Sequence, residues 1–333
     1  MGRYVIRRLL QFIPTLIGSL FLLHYLVVLG IQFRGNPARA FFGDRTPTPQ
    51  LLEAVKRLFN TDDPCLEQKF NPCLNLFAER VAKLSVGDLG VSYSGREVTD
   101  IIGAALPVTV RLAIIAISFQ IVIGIVAGIL AGLRNGSFAD YLVKISTVLV
   151  ISIPTFVLGS VIQLGLVPIS RYIREQPWAS PDLLGFVTVT FKVDYPWLSL
   201  IIPGFALAAM GLATTARLTR TSLMENLRAD YVRTAVAKGL PRRRVIGVHT
   251  LRNSLIPVVT DLGLSLGVLL GGAVVTERIF NIPGIGNEIV QAVGRNEGPV
   301  TIPLVTFLVI VYLVVNLLVD LLYAVLDPRI RLD

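Results

Sequence analysis

The chain has 333 residues, 53% of them hydrophobic and 16% charged, with a mean hydropathy of +0.69. Soluble domains carry about 25% charged residues, so the composition excludes a soluble globular protein and indicates an integral membrane protein. The net charge of +9 does not point to nucleic acid. The basic excess lies in segments beside apolar runs, where the positive-inside rule places it.

In chain order, six segments reach the roughly 20 apolar residues needed to cross about 30 Å of hydrocarbon. They are 9–30, 106–133, 141–169, 197–216, 256–276 and 302–326. The fold class expected is an all-α membrane protein of six transmembrane helices, forming a single domain over 1–333. Arg3, Arg7 and Arg8 place the N-terminus in the cytosol, and six crossings return the C-terminus there. Ala38-Arg39-Ala40 mimics a signal-peptidase site, but the first apolar run is longer than the 7–15 residues of a signal core. A retained first helix is expected.

The segment 31–105 carries nine basic and nine acidic residues and falls outside, as do 170–196 and 277–301. Within it, Thr48-Pro49 followed by Leu51, Leu52, Val55, Leu58 and Phe59 predicts a short amphipathic helix. Cys65 and Cys73, the two cysteines of the chain, are candidates for an extracytoplasmic disulfide, with two separate thiols the alternative. Gly87-Asp88-Leu89-Gly90 reads as a turn, and so does Ser94-Gly95, which has no histidine nearby to make it a nucleophile.

In the second span, Gly124, Gly128 and Gly132 bare one helix face for close approach by another helix. Arg111 sits just inside that span and can snorkel to the interface. Pro14, Pro154, Pro203 and Pro257 fall in or beside other spans, where kinks are tolerated. The polar groups within spans are His24, Arg111, Asp261, Asn316 and Asp320. Such groups are functional candidates, yet these form no relay. Asn316, Asp320, Tyr323 and Asp327 recur at i, i+4, i+7 and i+11, a polar face of span six read as a structural network. His24 reads as a satisfied packing residue.

The segment 217–255 falls in the cytosol. From Arg217 to Arg252 it holds nine basic residues against Glu225 and Asp230. Tyr231 to Lys238 predicts a short surface helix with Val232, Ala235 and Val236 on one apolar face, Gly239 as its C-cap and Pro241 barring continuation. A second helix is expected from Pro241 toward Asn253. Arg242, Arg243 and Arg244 in its first turn oppose the helix dipole, so topology or an acidic partner surface accounts for them.

Arg233-Thr234-Ala235-Val236-Ala237-Lys238-Gly239 resembles the cytosolic loop motif of ABC-importer membrane subunits, Glu-Ala-Ala, three residues, then Gly. Arg233 replaces the Glu, and Leu251-Arg252 stands where the general motif has Leu-Pro. Both departures are similar to the dipeptide and oligopeptide permease branch, as is the string from Arg252 to Pro257. The resemblance extends over nearly the whole chain. It includes Arg7-Arg8-Leu9-Leu10, Gly87 to Gly90, Leu106-Pro107, Glu277-Arg278-Ile279-Phe280 with Ile282-Pro283-Gly284-Ile285-Gly286, and Asp327-Pro328-Arg329. The part around Cys65 and Cys73 looks inserted, and Asn296-Glu297-Gly298-Pro299 departs from the pattern.

The resemblance implies a type I importer permease in a bacterial cell membrane. Its partners would be a second homologous permease subunit, two cytosolic ATPase subunits and an extracytoplasmic substrate-binding protein. ATP and Mg²⁺ would sit on the ATPase subunits, with no cofactor on this chain. Tyr231, Val232, Arg233, Thr234, Ala235, Val236, Lys238 and Gly239 would form the ATPase-coupling helix. The substrate implied is a di- or oligopeptide, with nickel complexes, glutathione or oligosaccharides as alternatives on the same architecture. The chain has no Gly-x-x-x-x-Gly-Lys-Ser/Thr phosphate loop and no His-Glu-x-x-His motif, so no enzyme activity of its own is expected. A stand-alone secondary transporter would be expected to carry midplane charges and inverted repeats. Asp261 and Asp320 lie toward the span ends instead, and no repeat is evident.

Overall fold

The computed structural model describes residues 2–34, 42, 47–58, 61–188, 190–295 and 297–326; the side chains of residues 2–5, 8, 34 and 320–326 lie outside this description. The helices are α1 (Gly2–Arg34), α2 (Pro49–Leu58), α3 (Leu74–Ser85), α4 (Val98–Phe119), α5 (Ile125–Leu133), α6 (Phe138–Ser152), α7 (Thr155–Arg174), α8 (Pro181–Phe186), α9 (Ile201–Leu227), α10 (Asp230–Ala237), α11 (Arg242–Arg244), α12 (Leu251–Ser254), α13 (Ile256–Ile279), α14 (Ile285–Gly294) and α15 (Gly298–Leu326). π-helical segments at Gln120–Gly124 and Val245–Thr250 join α4 to α5 and α11 to α12.

Six stretches are long and apolar enough to cross a membrane: Leu9–Phe33, Val98–Leu133, Thr155–Arg174, Leu198–Leu227, Ile256–Ile279 and Gly298–Val319. The order matches the six expected from sequence, with three differences of extent. The second begins at Val98, because Val98, Ile101, Ile102 and Ala105 are buried at helical spacing and continue the apolar stripe upstream of Leu106. The third is not one helix over 141–169. Proline disfavours the α conformation of the residue before it; Ile153 is accordingly extended (φ −95°, ψ 124°), α6 stops at Ser152, and Pro154 caps α7. The fourth continues past Ala216 to Leu227, so Arg217 and Arg220 belong to a span helix and not to a loop.

The chain forms two compact units, residues 1–107 with 284–333, and residues 108–283. In the first, α1 packs on α15 and α14 on α15. Its core joins Val98, Ile101, Ile102 and Ala105 of α4 to Ile285, Ile289 and Ala292 of α14 and Val300 and Leu304 of α15. A smaller cluster sets Val28 of α1 against Leu66 and the Cys73 that is bonded to Cys65, with a Cα–Cα distance of 5.6 Å. Gln32 holds that loop by its amide: Nε2 donates to the carbonyls of Asn71 (2.9 Å) and Cys65 (3.3 Å), and Oε1 accepts from the Phe70 N–H at 2.8 Å.

In the second unit α9 is the axis, packed by α5, α6, α7 and α13. Over half of its most apolar stretch, 56%, is buried, against 11–33% for the other five spans. The glycine row explains its closest neighbour. A Cβ on Gly124, Gly128 or Gly132 would stand 3.0, 2.5 and 3.0 Å from the side chains of Thr215, Thr219 and Leu223 of α9, so α5 and its π segment reach that helix nearly backbone to backbone.

Candidate functional site

The polar end of the second unit carries α10. Ala229 precedes it in extended conformation, and its carbonyl accepts from the N–H groups of Val232 and Arg233 at 3.0 and 3.2 Å. The helix ends in a Schellman motif: the Gly239 N–H donates to the Val236 carbonyl (2.9 Å) and the Leu240 N–H to the Ala235 carbonyl (3.3 Å). Gly239 takes φ +75°, the left-handed conformation that costs a side-chain-bearing residue. Leu240 folds back on Val232, Ala235 and Val245, the apolar contact that accompanies this cap.

That packing revises the apolar face read from sequence. Val232 and Ala235 are buried against Val245 of the π segment, within this chain, whereas Val236 points outward and is 60% exposed. One helical turn cannot serve both surfaces, and the four-residue linker to α11, Lys238 to Pro241, draws the Val232 side inward. The outward surface is Tyr231, Arg233, Thr234, Val236 and Lys238. Tyr231 is fixed by its hydroxyl, which donates to Asn226 Oδ1, and Asn226 Nδ2 donates to the Ser222 carbonyl at 2.8 Å. Arg233 reaches Asp230 at 3.4 Å, a pair whose side chains are 75% and 96% exposed and which adds little to stability.

Arg242, Arg243 and Arg244 are exposed and form the short α11. The helix expected from Pro241 toward Asn253 is present, but its middle is π-helical, with the Thr250 hydroxyl donating to the Val245 carbonyl at 3.0 Å.

An ion pair not anticipated from sequence lies on the same unit. Asp140 of α6 is fully buried; its Oδ1 accepts from Arg220 Nε at 2.5 Å, and its Oδ2 accepts from Arg220 Nη2 at 3.2 Å. Lys144 Nζ approaches Oδ2 at 2.8 Å, and the Gly136 N–H donates there at 2.9 Å. Arg220, then Lys144 and the Gly136 amide, hold the Asp140 carboxyl well below the usual carboxylate range, against the opposing effect of burial. Ser137 three residues before Asp140 is a capping-box spacing, and Lys144 follows at i+4. Those signals mark a helix start; the partner on α9, eighty positions away, carries no local signal.

His24 is almost wholly buried between the Pro72 carbonyl (3.0 Å) and Arg80 Nη1 (2.7 Å). Arg111 places its guanidinium 5.8 Å from the centre of the Trp197 ring, a cation–π contact. Asp261 accepts from the Thr215 hydroxyl at 3.5 Å. Gln120, missed from sequence, is buried in the first π segment; its Oε1 accepts from Ser265, and its amide fills the space beside Gly211, where a Cβ would stand 2.3 Å from Nε2. Glu277, also missed as a buried group, accepts from Thr109 at 2.7 Å in the last turn of α13. Of the polar face on span six, Asn316 is half-buried; the side chains of Asp320 and Tyr323, and Asp327 entirely, lie outside the described residues.

Six spans and a short, capped helix on a basic polar end describe a multi-pass membrane protein with an exposed polar surface. Residues 124–332 match the family of binding-protein-dependent transport system inner membrane components, and the chain belongs to it. It is thus an ABC permease subunit of the bacterial inner membrane. The dipeptide transport system permease protein DppB of Alkalihalophilus pseudofirmus is 36% identical over 98% of this chain and 99% of its own length. DppB of Escherichia coli is 33% identical over 99% of both chains. The glutathione transport system permease protein GsiC of Escherichia coli is 35% identical, again over 99% of both.

Proposed function

We propose that this chain is the membrane-spanning translocation subunit of an ATP-driven importer of short peptides, with both termini in the cytosol. The observation that carries the substrate class is end-to-end similarity to permeases named for dipeptides, at 36% and 33% identity. In this reading α10 docks in a cleft of a cytosolic ATPase subunit through Tyr231, Arg233, Thr234, Val236 and Lys238. Its buried side, Val232 and Ala235, ties it to the π segment, so movement of the ATPase is passed to α9 and the spans. A second homologous permease subunit completes the translocation path, a binding protein delivers the peptide from outside, and ATP with Mg²⁺ is held by two ATPase subunits. Exposed positive charge beside the helix suits a cleft with an acidic rim.

The similarity to a glutathione permease at 35% identity favours a second reading, import of that tripeptide. Both are tested by tagging the chain, extracting it gently from its native membrane and reconstituting what co-purifies into liposomes. ATPase subunits are expected to accompany it, and a dipeptide-loaded binding protein is expected to stimulate ATP hydrolysis. Stimulation by glutathione alone would select the second reading. Stimulation by a nickel chelate or an oligosaccharide where every peptide fails would overturn both.

A further inference from the structure

The first unit contains a cavity of about 380 Å³ near the ends of α1 and α15, a volume within the roughly 300–1,000 Å³ range of small-molecule sites. Part of its lining is apolar: Val27, Val28 and Ile31 from the last turns of α1, and Ile302 from the first turns of α15. Both helices are long and apolar enough to cross a membrane, and these residues stand near their ends. The apolar lining is therefore at the level where hydrocarbon meets lipid headgroups.

The lining also carries four charged residues, Glu79, Arg80, Lys83 and Asp88. Glu79 pairs with Lys83 at 2.8 Å. Arg80 instead donates to His24 Nδ1. A guanidinium can only donate, so Nδ1 is the imidazole's acceptor, and Nε2–H donates to the Pro72 carbonyl. The imidazole is the neutral tautomer and brings Arg80 no counter-charge. Burial pushes the Arg80 guanidinium below its ordinary range, Glu79 opposing, so an anion beside it would be favoured. Asp88 is exposed; Oδ1 accepts from the Gly90 N–H at 2.9 Å, which fixes the carboxylate on the turn.

We propose that this cavity binds one zwitterionic phospholipid of the phosphatidylethanolamine type, its phosphate on Arg80, its ammonium on Asp88 and an acyl chain along Val27, Val28, Ile31 and Ile302. The two charges decide between headgroups. Phosphatidylglycerol satisfies Arg80 but brings no cation to Asp88. Phosphatidylcholine brings a quaternary ammonium, which has no N–H to donate. The site is independent of which peptide the transporter carries.

The test uses the full-length protein purified in detergent, exposed to an equimolar mixture of the three lipids and read by native mass spectrometry. One phosphatidylethanolamine is expected to be retained in preference to the other two. Arg80→Gln should lower its occupancy about tenfold, the scale of one lost charge-assisted hydrogen bond. Asp88→Asn keeps an acceptor for the Gly90 N–H while removing the charge, so the fold is preserved; the preference for phosphatidylethanolamine over phosphatidylglycerol should vanish or reverse. Equal retention of all three lipids by the wild type, or an unchanged preference in Asp88→Asn, would overturn the assignment. So would displacement of the lipid by dialanine at millimolar concentration, since a free peptide is also a zwitterion and would claim the site as its own.

Discussion

A methyl group added at Gly128 would meet the Thr219 Cβ at 2.5 Å and the Ala216 carbonyl oxygen at 2.6 Å, both on the neighbouring α9. Backbone cannot yield as a side-chain tip can, so Gly128→Ala should force α5 and α9 apart. A loss of about 1–3 kcal/mol is expected from such overpacking, seen as a lower melting temperature in detergent. Gly30→Ala, where nothing stands within 4 Å, should leave the melting temperature unchanged or slightly raised. Asp140 gives the residue scale its pH dependence. Its carboxyl titrates lower in the folded protein than in the unfolded chain, so the pair stabilises fully above the unfolded value of about 3.9 and less as pH falls below it. Melting temperature against pH should therefore drop on acidification below about pH 4. Asp140→Asn should remove that dependence and cost about 3 kcal/mol at neutral pH, because Arg220, only 15% exposed, loses its counter-charge.

At the scale of elements, α10 is the clearest case of a short helix made stable by its ends. Eight residues form few internal hydrogen bonds, and the Schellman closure with Leu240 packed beneath does the rest. Gly239→Ala should strain the cap by about 1–2 kcal/mol and lower the stimulation of ATP hydrolysis by loaded binding protein; Gly239→Pro or Arg233→Glu should uncouple uptake from hydrolysis more fully. Unchanged peptide uptake in reconstituted liposomes for both of the latter would count against the docking role of this helix. Much of this element was legible in the sequence, because Gly239 and Pro241 are local stop signals and act within a few residues of where they stand. The glycine row of α5 was legible for the same reason. What was not legible depends on distant partners. Val236 turns outward because Val245 and Leu240 claim the other side, and Arg220 lies in a helix because α9, packed by α5, α6, α7 and α13, continues beyond its apolar core. The break at Pro154 was half-legible: the proline announced a disturbance, but a kink and a full stop differ only in whether neighbours hold the next turn.

At the scale of the molecule, the segment between the first and second spans is tied to α1 in two ways, by Gln32 and by the cluster of Val28, Leu66 and Cys73 beside the Cys65–Cys73 bond. The intact mass should rise by two hydrogens on reduction, and Cys65→Ser should cost about 2–3 kcal/mol by the loop-closure argument for so short a ring. An unchanged mass under reductant would show two separate thiols. The division of the chain into units has a further implication, for the order in which the protein is made. The second unit is continuous, residues 108–283, so every helix it needs has been synthesised once α13 is complete. The first unit is split: α1 packs on α15, and the start of α4 packs on α14 and α15, which follow the second unit in the chain. During biogenesis α1 thus waits for a partner made after the whole second unit, and the unit that opens before the other is closed after it.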